Sequence, residues 1–391
     1  MCCNGSRHDR GEVVLSSHLR VGVVGCGYWG SKHARVMSSL SDVGQVALID
    51  TRSERISSVA ANIRGVQTFA RLADALPEVD AVVIATPPTS HVPLALEAIR
   101  AGKHVLVEKP LATDSRGAAL LVQEAAEHDV VLMVGHTFEY NAAVWKLREL
   151  IDSGELGELY YIDTARLNLG LYQSDVNVVM DLAPHDISII NYLLRRKPTS
   201  VEAWGRAHAA SRHEDVAYLR MYYDEIGLTA NVHVSWLDPC KVRRVTAVGS
   251  RRMAVYNDLA SEERIRVHDK GVYQPEPDSS MTGAPMSYRY GTITSPFISF
   301  DEPLAVQDRH FALCASTGLQ PQSDGLVGLG VVQALECAQI SLAEGRRVEL
   351  AEVDGHSVVS SGGPRRAGGD RCIELPPSLP HQLGSPQART A

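Results

Sequence analysis

An α/β fold is predicted, with an N-terminal doubly wound parallel sheet and a second, α+β domain built on a large, mostly antiparallel sheet. Three observations predict it. A short apolar run ends in three spaced glycines at Val21-Gly-Val-Val-Gly-Cys-Gly-Tyr-Trp-Gly30. Short apolar runs then alternate with helical patterns as far as Gly135, the rhythm of a parallel sheet with helices on both faces. Between Val201 and Tyr256 the pattern changes to strand after strand, which favours antiparallel pairing with one face free to pack on a partner subunit.

The elements follow in order. Residues 1–17 are polar, lack the apolar core of a signal peptide and read as a disordered leader. Val21–Val24 reads as a buried strand, and a helix starts at once, with Ala34, Met37 and Leu40 three apart on one face. Strand, Gly-x-Gly-x-x-Gly, helix is the order that seats a pyrophosphate on a helix N-terminus. Gly25 permits the tight turn, Gly27 lets the backbone approach the phosphates, and Gly30 lets the helix pack on the strand. Asp50 ends the run Val46–Asp50, twenty residues past Gly30. A carboxylate there accepts both ribose hydroxyls of an adenosine and repels a 2′-phosphate. NAD is therefore the expected cofactor, with NADP left open by Arg52 and Arg55. Gly25, Gly27, Tyr28, Trp29, Gly30, Asp50 and Arg52 are the candidate contacts.

Further strands are predicted at Val66–Phe69, Ala81–Thr86, His104–Glu108 and Val130–Gly135, with helices at Ser53–Asn62, His91–Ala101 and Ser115–His128. Ligands sit outside the carboxyl ends of such strands, and two of these ends are unusual. Thr86-Pro-Pro88 halts its strand and stiffens the next turn, which puts Thr86, Pro87 and His91 at the cofactor's border. Glu108-Lys-Pro110 sends two charged side chains out of a buried strand toward the cleft. Lys109 can there reach a nicotinamide and a substrate hydroxyl.

After Gly135 a helix is expected over Ala142–Ser153, a strand over Glu158–Leu167 and a helix over Met180–Leu194. Strands follow at Val201–Ala207, Val216–Tyr223, Leu228–Trp236, Arg243–Ala247 and Met253–Tyr256. Residues 270–300 read as a long loop, helices return at Leu304–Thr317 and Gly325–Glu344, and 351–391 read as a disordered tail. The expected domains are 18–136, binding the dinucleotide, and 137–350, binding substrate and forming oligomers.

Asp181 and His185 fall i, i+4 on one helix face. Pro184 is tolerated only if that helix begins just before it, which makes Asp181 a possible N-cap. Paired instead, the carboxylate orients the imidazole and raises its proton affinity. Hydride transfer from a secondary alcohol needs a base for the hydroxyl proton and a donor for the developing alkoxide. His185 suits the first role and Lys109 the second, with Asp181 to orient or relay. A lysine beside a second cation also titrates low enough to be the base, so the sequence leaves the two open.

Bulk properties set outer bounds. The 391 residues suffice for two domains with sizeable cores. A net charge of −8 without a long basic run argues against nucleic acid or an anionic membrane as partner. Seven scattered cysteines lack Cys-x-x-Cys and metal spacing, which fits a reducing cytoplasm and predicts no metal site. No apolar stretch is expected to match a bilayer.

The chain resembles the glucose–fructose oxidoreductase and inositol 2-dehydrogenase (Gfo/Idh/MocA) family from about Leu19 to Leu350. The marks are Val21 to Gly30, Glu108-Lys-Pro-Leu-Ala112 and Asp181-x-x-x-His185. The resemblance implies a Rossmann domain, an open-faced α+β domain, a homodimer or homotetramer formed through its sheet, and Lys109, Asp181 and His185 as the catalytic set. Arg166-Leu-Asn-Leu-Gly170 and the segment from Asn177 to Asp186 resemble the branch acting on nucleotide-linked sugars and aminosugars. That branch oxidises a ring hydroxyl, often at C3, to a ketone used by an aminotransferase, as in aminosugar, polysaccharide or aminoglycoside-type antibiotic assembly. By this analogy Tyr140, Asn141, Arg166, Asn168 and Asn177 join Lys109, Asp181 and His185 as sugar contacts. Glu139-Tyr-Asn141 replaces the family's frequent Arg-x-Asn, which implies a different substrate subpocket. The alternatives are an NAD(P)H-dependent keto-sugar reductase, a non-catalytic dinucleotide-binding regulator and a nucleoside-cofactor enzyme such as a methyltransferase. Retention of Lys109 and His185 weighs against the last two.

Overall fold

The computed structural model describes residues 18–170, 172–173, 176–209, 212–273 and 286–354. The expected leader at 1–17 and the tail from 355 lie outside the described residues.

Six parallel strands form the first sheet: β1 (Leu19–Val24), β2 (Val43–Ile49), β3 (Gln67–Phe69), β4 (Ala81–Ile84), β5 (His104–Glu108) and β6 (Leu132–Gly135). Their order is β3-β2-β1-β4-β5-β6. Residues such as Val82, Val83, Val105, Leu106 and Val107 are fully buried in succession, because helices cover both faces. Those helices are α1 (Tyr28–Met37), α2 (Ser53–Ala60), α3 (Leu72–Ala75), α4 (His91–Arg100) and α5 (Ser115–Glu127). The strand order reverses between β1 and β4, and the glycine turn after β1 opens at that switch point.

The chain continues through α6 (Ala142–Asp152), β7 (Leu159–Leu169), α7 (Val178–Leu194), β8 (Ser200–Arg206), β9 (Val216–Tyr223), β10 (Leu228–Ser235) and β11 (Leu237–Gly249). It ends with β12 (Met253–Asn257), β13 (Ile265–Tyr273), β14 (Ser287–Thr294), α8 (Pro303–Thr317), α9 (Gly325–Glu344), β15 (Val348–Glu349) and α10 (Leu350–Val353). The second sheet runs β14-β13-β12-β11-β7-β10-β9-β8-β15, with β7 and β10 parallel and the other pairs antiparallel. One face packs a core of Ile162, Leu219, Val232, Val245, Ile187 and Leu335. The opposite face leaves Trp204 and Tyr218 exposed, directly paired across β8 and β9.

Several expectations change. Residues 270–300 are not one loop: β14 pairs with β13, and 274–285 lie outside the described residues. The helix carrying Asp181 begins at Val178, and its N-cap is Asn177, whose side chain accepts from the Met180 N–H. Pro184 therefore lies inside α7. The expected tail begins as a helix, because α10 includes residues 351–353. Helix α9 is long and apolar enough to cross a membrane by length and composition, but over half of that window is buried inside the protein. Its apolarity comes from serving two cores, with Val332 packed in the first half and Val331, Ala334 and Leu335 in the second. Gly325 and Gly328 let it lie against Leu132 and Val134 of β6. By packing, α8 and α9 touch both halves.

A buried ionic array tightens this joint. His33 on α1 places Nε2 3.0 Å from Glu108 Oε1 and Nδ1 2.9 Å from Asp308 Oδ1 on α8. Burial alone would lower the imidazole's proton affinity, but Asp308 and Glu108 outweigh it and push the pKa up to about 10. The raised folded value means its contribution to stability is complete below the unfolded value of 6.5 and is lost as pH rises through about 10. His33→Gln should therefore cost about 3–5 kcal/mol near neutral pH. Thermal melts should show the gap to wild type closing above pH 10 and staying wide at pH 6.

Candidate active site

The turn after β1 is shaped to receive a diphosphate. Gly25 has φ +91°, and a Cβ there would sit 2.8 Å from the Ala85 carbonyl. A Cβ on Gly30 would lie 1.7 Å from the Gly25 carbonyl oxygen, so the helix packs on the turn itself rather than on the strand. Gly27 is the N-cap of α1, and no side chain caps that end. Among the described residues, a Cβ on Gly27 would meet only Arg55 Nη1, at 3.7 Å. The first-turn N–H groups thus have no side-chain cap and the helix dipole behind them, which fits an anion.

Asp50 accepts from the Cys26 and Arg52 N–H groups, at 2.8 and 2.9 Å. Each oxygen keeps a lone pair for a ribose hydroxyl. Tyr28 and Trp29 are exposed at the mouth, with Lys32 Nζ 4.4 Å from the Tyr28 ring centre. Thr86 Oγ1 accepts from Ser90, and Pro87 is exposed beside it. The residues present fit a dinucleotide.

Two expected cofactor contacts have partners inside the protein. His91 is fully buried, its ring nitrogens 2.8 and 2.9 Å from the Pro110 and Thr86 carbonyls. It ties the two strand ends together. Glu108 gives its carboxylate to His33 and to the Lys109 N–H, and so supports the strand end.

Lys109 leaves the end of β5 through a cis bond to Pro110 and turns toward α7. Its Nζ donates to the Asp181 carbonyl at 2.9 Å and lies 3.9 Å from Asp181 Oδ1. The helix tolerates Pro184 at a place where the proline supplies no N–H to the Met180 carbonyl and an ammonium lies against the next carbonyl along. Burial lowers the Lys109 proton affinity, with Arg166 adding to the effect and Asp181 and Glu108 opposing it.

Asp181 and His185 do share a region of α7, but they are not a hydrogen-bonded pair. Asp181 Oδ2 accepts from the Trp236 indole at 3.0 Å, and His185 Nδ1 is buried without a partner among the described residues. The expected rise in imidazole proton affinity is reversed. Burial, then the charges of Lys109 and Arg166, hold His185 well below its ordinary value, so the ring is neutral and able to accept a proton. Phe138 packs edge-on against it, ring centres 5.2 Å apart.

The expected sugar contacts divide. Arg166 is buried beside the site, its Nε 2.6 Å from Asp186 Oδ2 and its guanidinium over the Phe138 ring. Asn168 lies half-buried two residues along the same strand. Tyr140, Asn141 and Asn177 are buried, and their polar atoms have partners inside the protein. Tyr140 Oη is 3.0 Å from Ser323 Oγ. Asn141 caps α6 and donates to Tyr256. Asn177 caps α7 and donates to Glu214 and Gln339.

Sequence reasoning missed several neighbours. His136, at the end of β6, is fully buried with neither ring nitrogen partnered among the described residues, and burial pushes its pKa down to about 4. Glu139, which the sequence marks only as a departure from the family pattern, is buried, accepts from Ser188 at 2.8 Å and is pushed up to about 8 by burial. It is a neutral acid near pH 7. Trp236 ended an expected strand and carried no other signal, and Asp308 lies 275 residues from its partner His33.

The fold and its glycine cradle define a nicotinamide-dinucleotide oxidoreductase. Residues 19–136 match the oxidoreductase family with an NAD-binding Rossmann fold, and residues 144–255 match the GFO/IDH/MocA C-terminal domain. The UDP-N-acetylglucosamine 3-dehydrogenase of Acidithiobacillus ferrooxidans is 34% identical over 240 residues, 61% of this chain and 71% of that protein. A solved structure of that enzyme superposes with a TM-score of 0.69 at 27% identity, covering 83% of this chain and 98% of that one. The inositol 2-dehydrogenase of Corynebacterium glutamicum strain R is 34% identical over 194 residues, 48% of this chain and 58% of that protein. The chain belongs to the GFO/IDH/MocA oxidoreductase family.

The cradle makes a direct prediction. Gly30→Ala should destabilise the protein by about 2 kcal/mol or more and weaken NAD binding at least tenfold. Thermal melts and titration calorimetry read the two effects.

Proposed function

We propose that this protein oxidises a secondary ring hydroxyl of a nucleotide-linked sugar or aminosugar, at C3, to a ketone with NAD. The observation that carries the reading is Lys109 reaching from the dinucleotide half to Asp181, with the neutral His185 one turn further along α7. The substrate class is supported by the 34% identical UDP-N-acetylglucosamine 3-dehydrogenase.

Gly25, Gly27 and Gly30 with the α1 N-terminus hold the diphosphate, and Asp50 the adenosine ribose. Bound NAD supplies the acceptor for the hydride leaving the carbinol carbon. Lys109 donates a hydrogen bond to the substrate oxygen and stabilises the charge developing on it. The neutral His185 takes the hydroxyl proton. Asp181 holds the lysine in place through its carbonyl and carboxylate. Arg166 and Asn168 line the sugar side.

The exposed Trp204–Tyr218 row on the open sheet fits a second copy of the chain, giving a homodimer or homotetramer. A 3-keto product is the substrate of an aminotransferase, the class of enzyme expected next in sequence.

The test is NADH formation from UDP-N-acetylglucosamine and a panel of free and nucleotide-linked sugars. Lys109→Met and His185→Ala should each lower kcat about 10²–10⁴-fold without changing NAD affinity by more than a few-fold; unchanged turnover in either overturns the assigned role. Separately, Asp50→Ala should shift the NAD-to-NADP preference toward NADP by about tenfold, read as the ratio of kcat/KM values.

A further inference from the structure

We propose that Trp236 is a positioning residue whose indole N–H fixes the Asp181 carboxylate, keeping one oxygen on Trp236 and turning the other toward Lys109. The inference rests on the reading of Lys109 and Asp181 as groups of the reacting site.

The geometry is specific. Trp236 Nε1 donates to Asp181 Oδ2 at 3.0 Å, while Asp181 Oδ1 stands 3.9 Å from Lys109 Nζ. An indole N–H is a donor only, so it can bind the carboxylate but cannot compete for the lysine proton.

Trp236 itself has nowhere to go. It is 1% exposed, and its backbone N–H donates to the Asp215 carbonyl while its own carbonyl accepts from Gly170 N–H, both at 2.8 Å. A Cβ on Gly170 would come within 2.8 Å of Trp236 Cδ1, so only glycine lets the strand lie on the indole. Tyr172 packs its ring 5.4 Å from that of Trp236 and donates to Asp215 Oδ2. Asp215 is held in turn by the His208 and Ala209 N–H groups.

Asp181, by contrast, is partly exposed, with 28% of its side chain open. Without the indole, its carboxylate is free to rotate toward water or to close on the ammonium. Either movement changes the field at Lys109. The other groups that face Lys109 are His185 from α7, Glu108 from its own strand, His136 from the end of β6, Arg166 from β7 and His91 from α4.

The full-length protein tests this without any substrate. Competitive labelling of Lys109 with an amine-reactive anhydride across pH gives its titration midpoint in wild type, Trp236→Phe, Asp181→Asn and the double variant. The expected result is a midpoint displaced in Trp236→Phe and the same midpoint in Asp181→Asn and the double variant. An unchanged midpoint in Trp236→Phe, or an equal displacement in both backgrounds, overturns the proposal.

If Trp236→Phe does not fold, indole-15N spectra of wild type and Asp181→Asn decide instead. The Trp236 N–H resonance should move when Asp181 is changed, and an unmoved resonance overturns the proposal. With UDP-N-acetylglucosamine as probe, Trp236→Phe should lower kcat about 10²-fold with KM for NAD unchanged. Failure of the dehydrogenase reading shows separately, as turnover that survives Lys109→Met, and leaves the labelling result intact.

Discussion

The contact between the Lys109 ammonium and the Asp181 carbonyl, 2.9 Å long, is the constraint that organises the molecule. It joins the end of a parallel strand to a helix lying on the second sheet, and both must be held still for it to form. The strand end is held by Glu108, locked into the His33 imidazolium with Asp308 behind it. The helix is held by its Asn177 cap, by the Arg166–Asp186 pair at its centre and by Trp236 on its side. Supports of this kind, buried and hydrogen-bonded at both ends, are what preorganisation requires.

Electrostatics at the site follow from burial more than from pairing. Lys109, His136 and His185 are all lowered because their charged forms lose water, and the cations among them repel one another. Outside this cluster the balance inverts. His33 has two carboxylates and no competing cation, so it remains protonated. His33 and His185 thus take opposite charge states, the first bracing the fold as a cation and the second held neutral. Glu139 follows the same rule from the acidic side, kept neutral by burial beside Ser188.

The two-part architecture is tied together by the last helices. Helix α9 places successive residues in two different cores, and α8 brings Asp308 back to α1. Residue 136 lies where the chain passes from the first sheet to the second. The apolar length of α9 follows from its packing: a helix covered on several sides needs few polar residues.

The amino-acid sequence by itself determined the elements whose signals are local. Apolar runs, glycine spacing and turn residues made the six parallel strands and the glycine cradle legible, as well as helices α4 to α6, because short-range sterics and periodicity govern all of these. It also singled out Lys109, Asp181 and His185 as residue types suited to the chemistry. Only the tertiary structure decided how they are used. Asp181 turns to Trp236 and Lys109 instead of His185, the imidazole's proton affinity falls rather than rises, and Tyr140, Asn141 and Asn177 are absorbed into caps and buried hydrogen bonds. The reason is physical: hydrogen-bond partners and desolvation are set by residues tens to hundreds of positions away, such as Trp236 and Asp308, whose approach leaves no local periodicity to read.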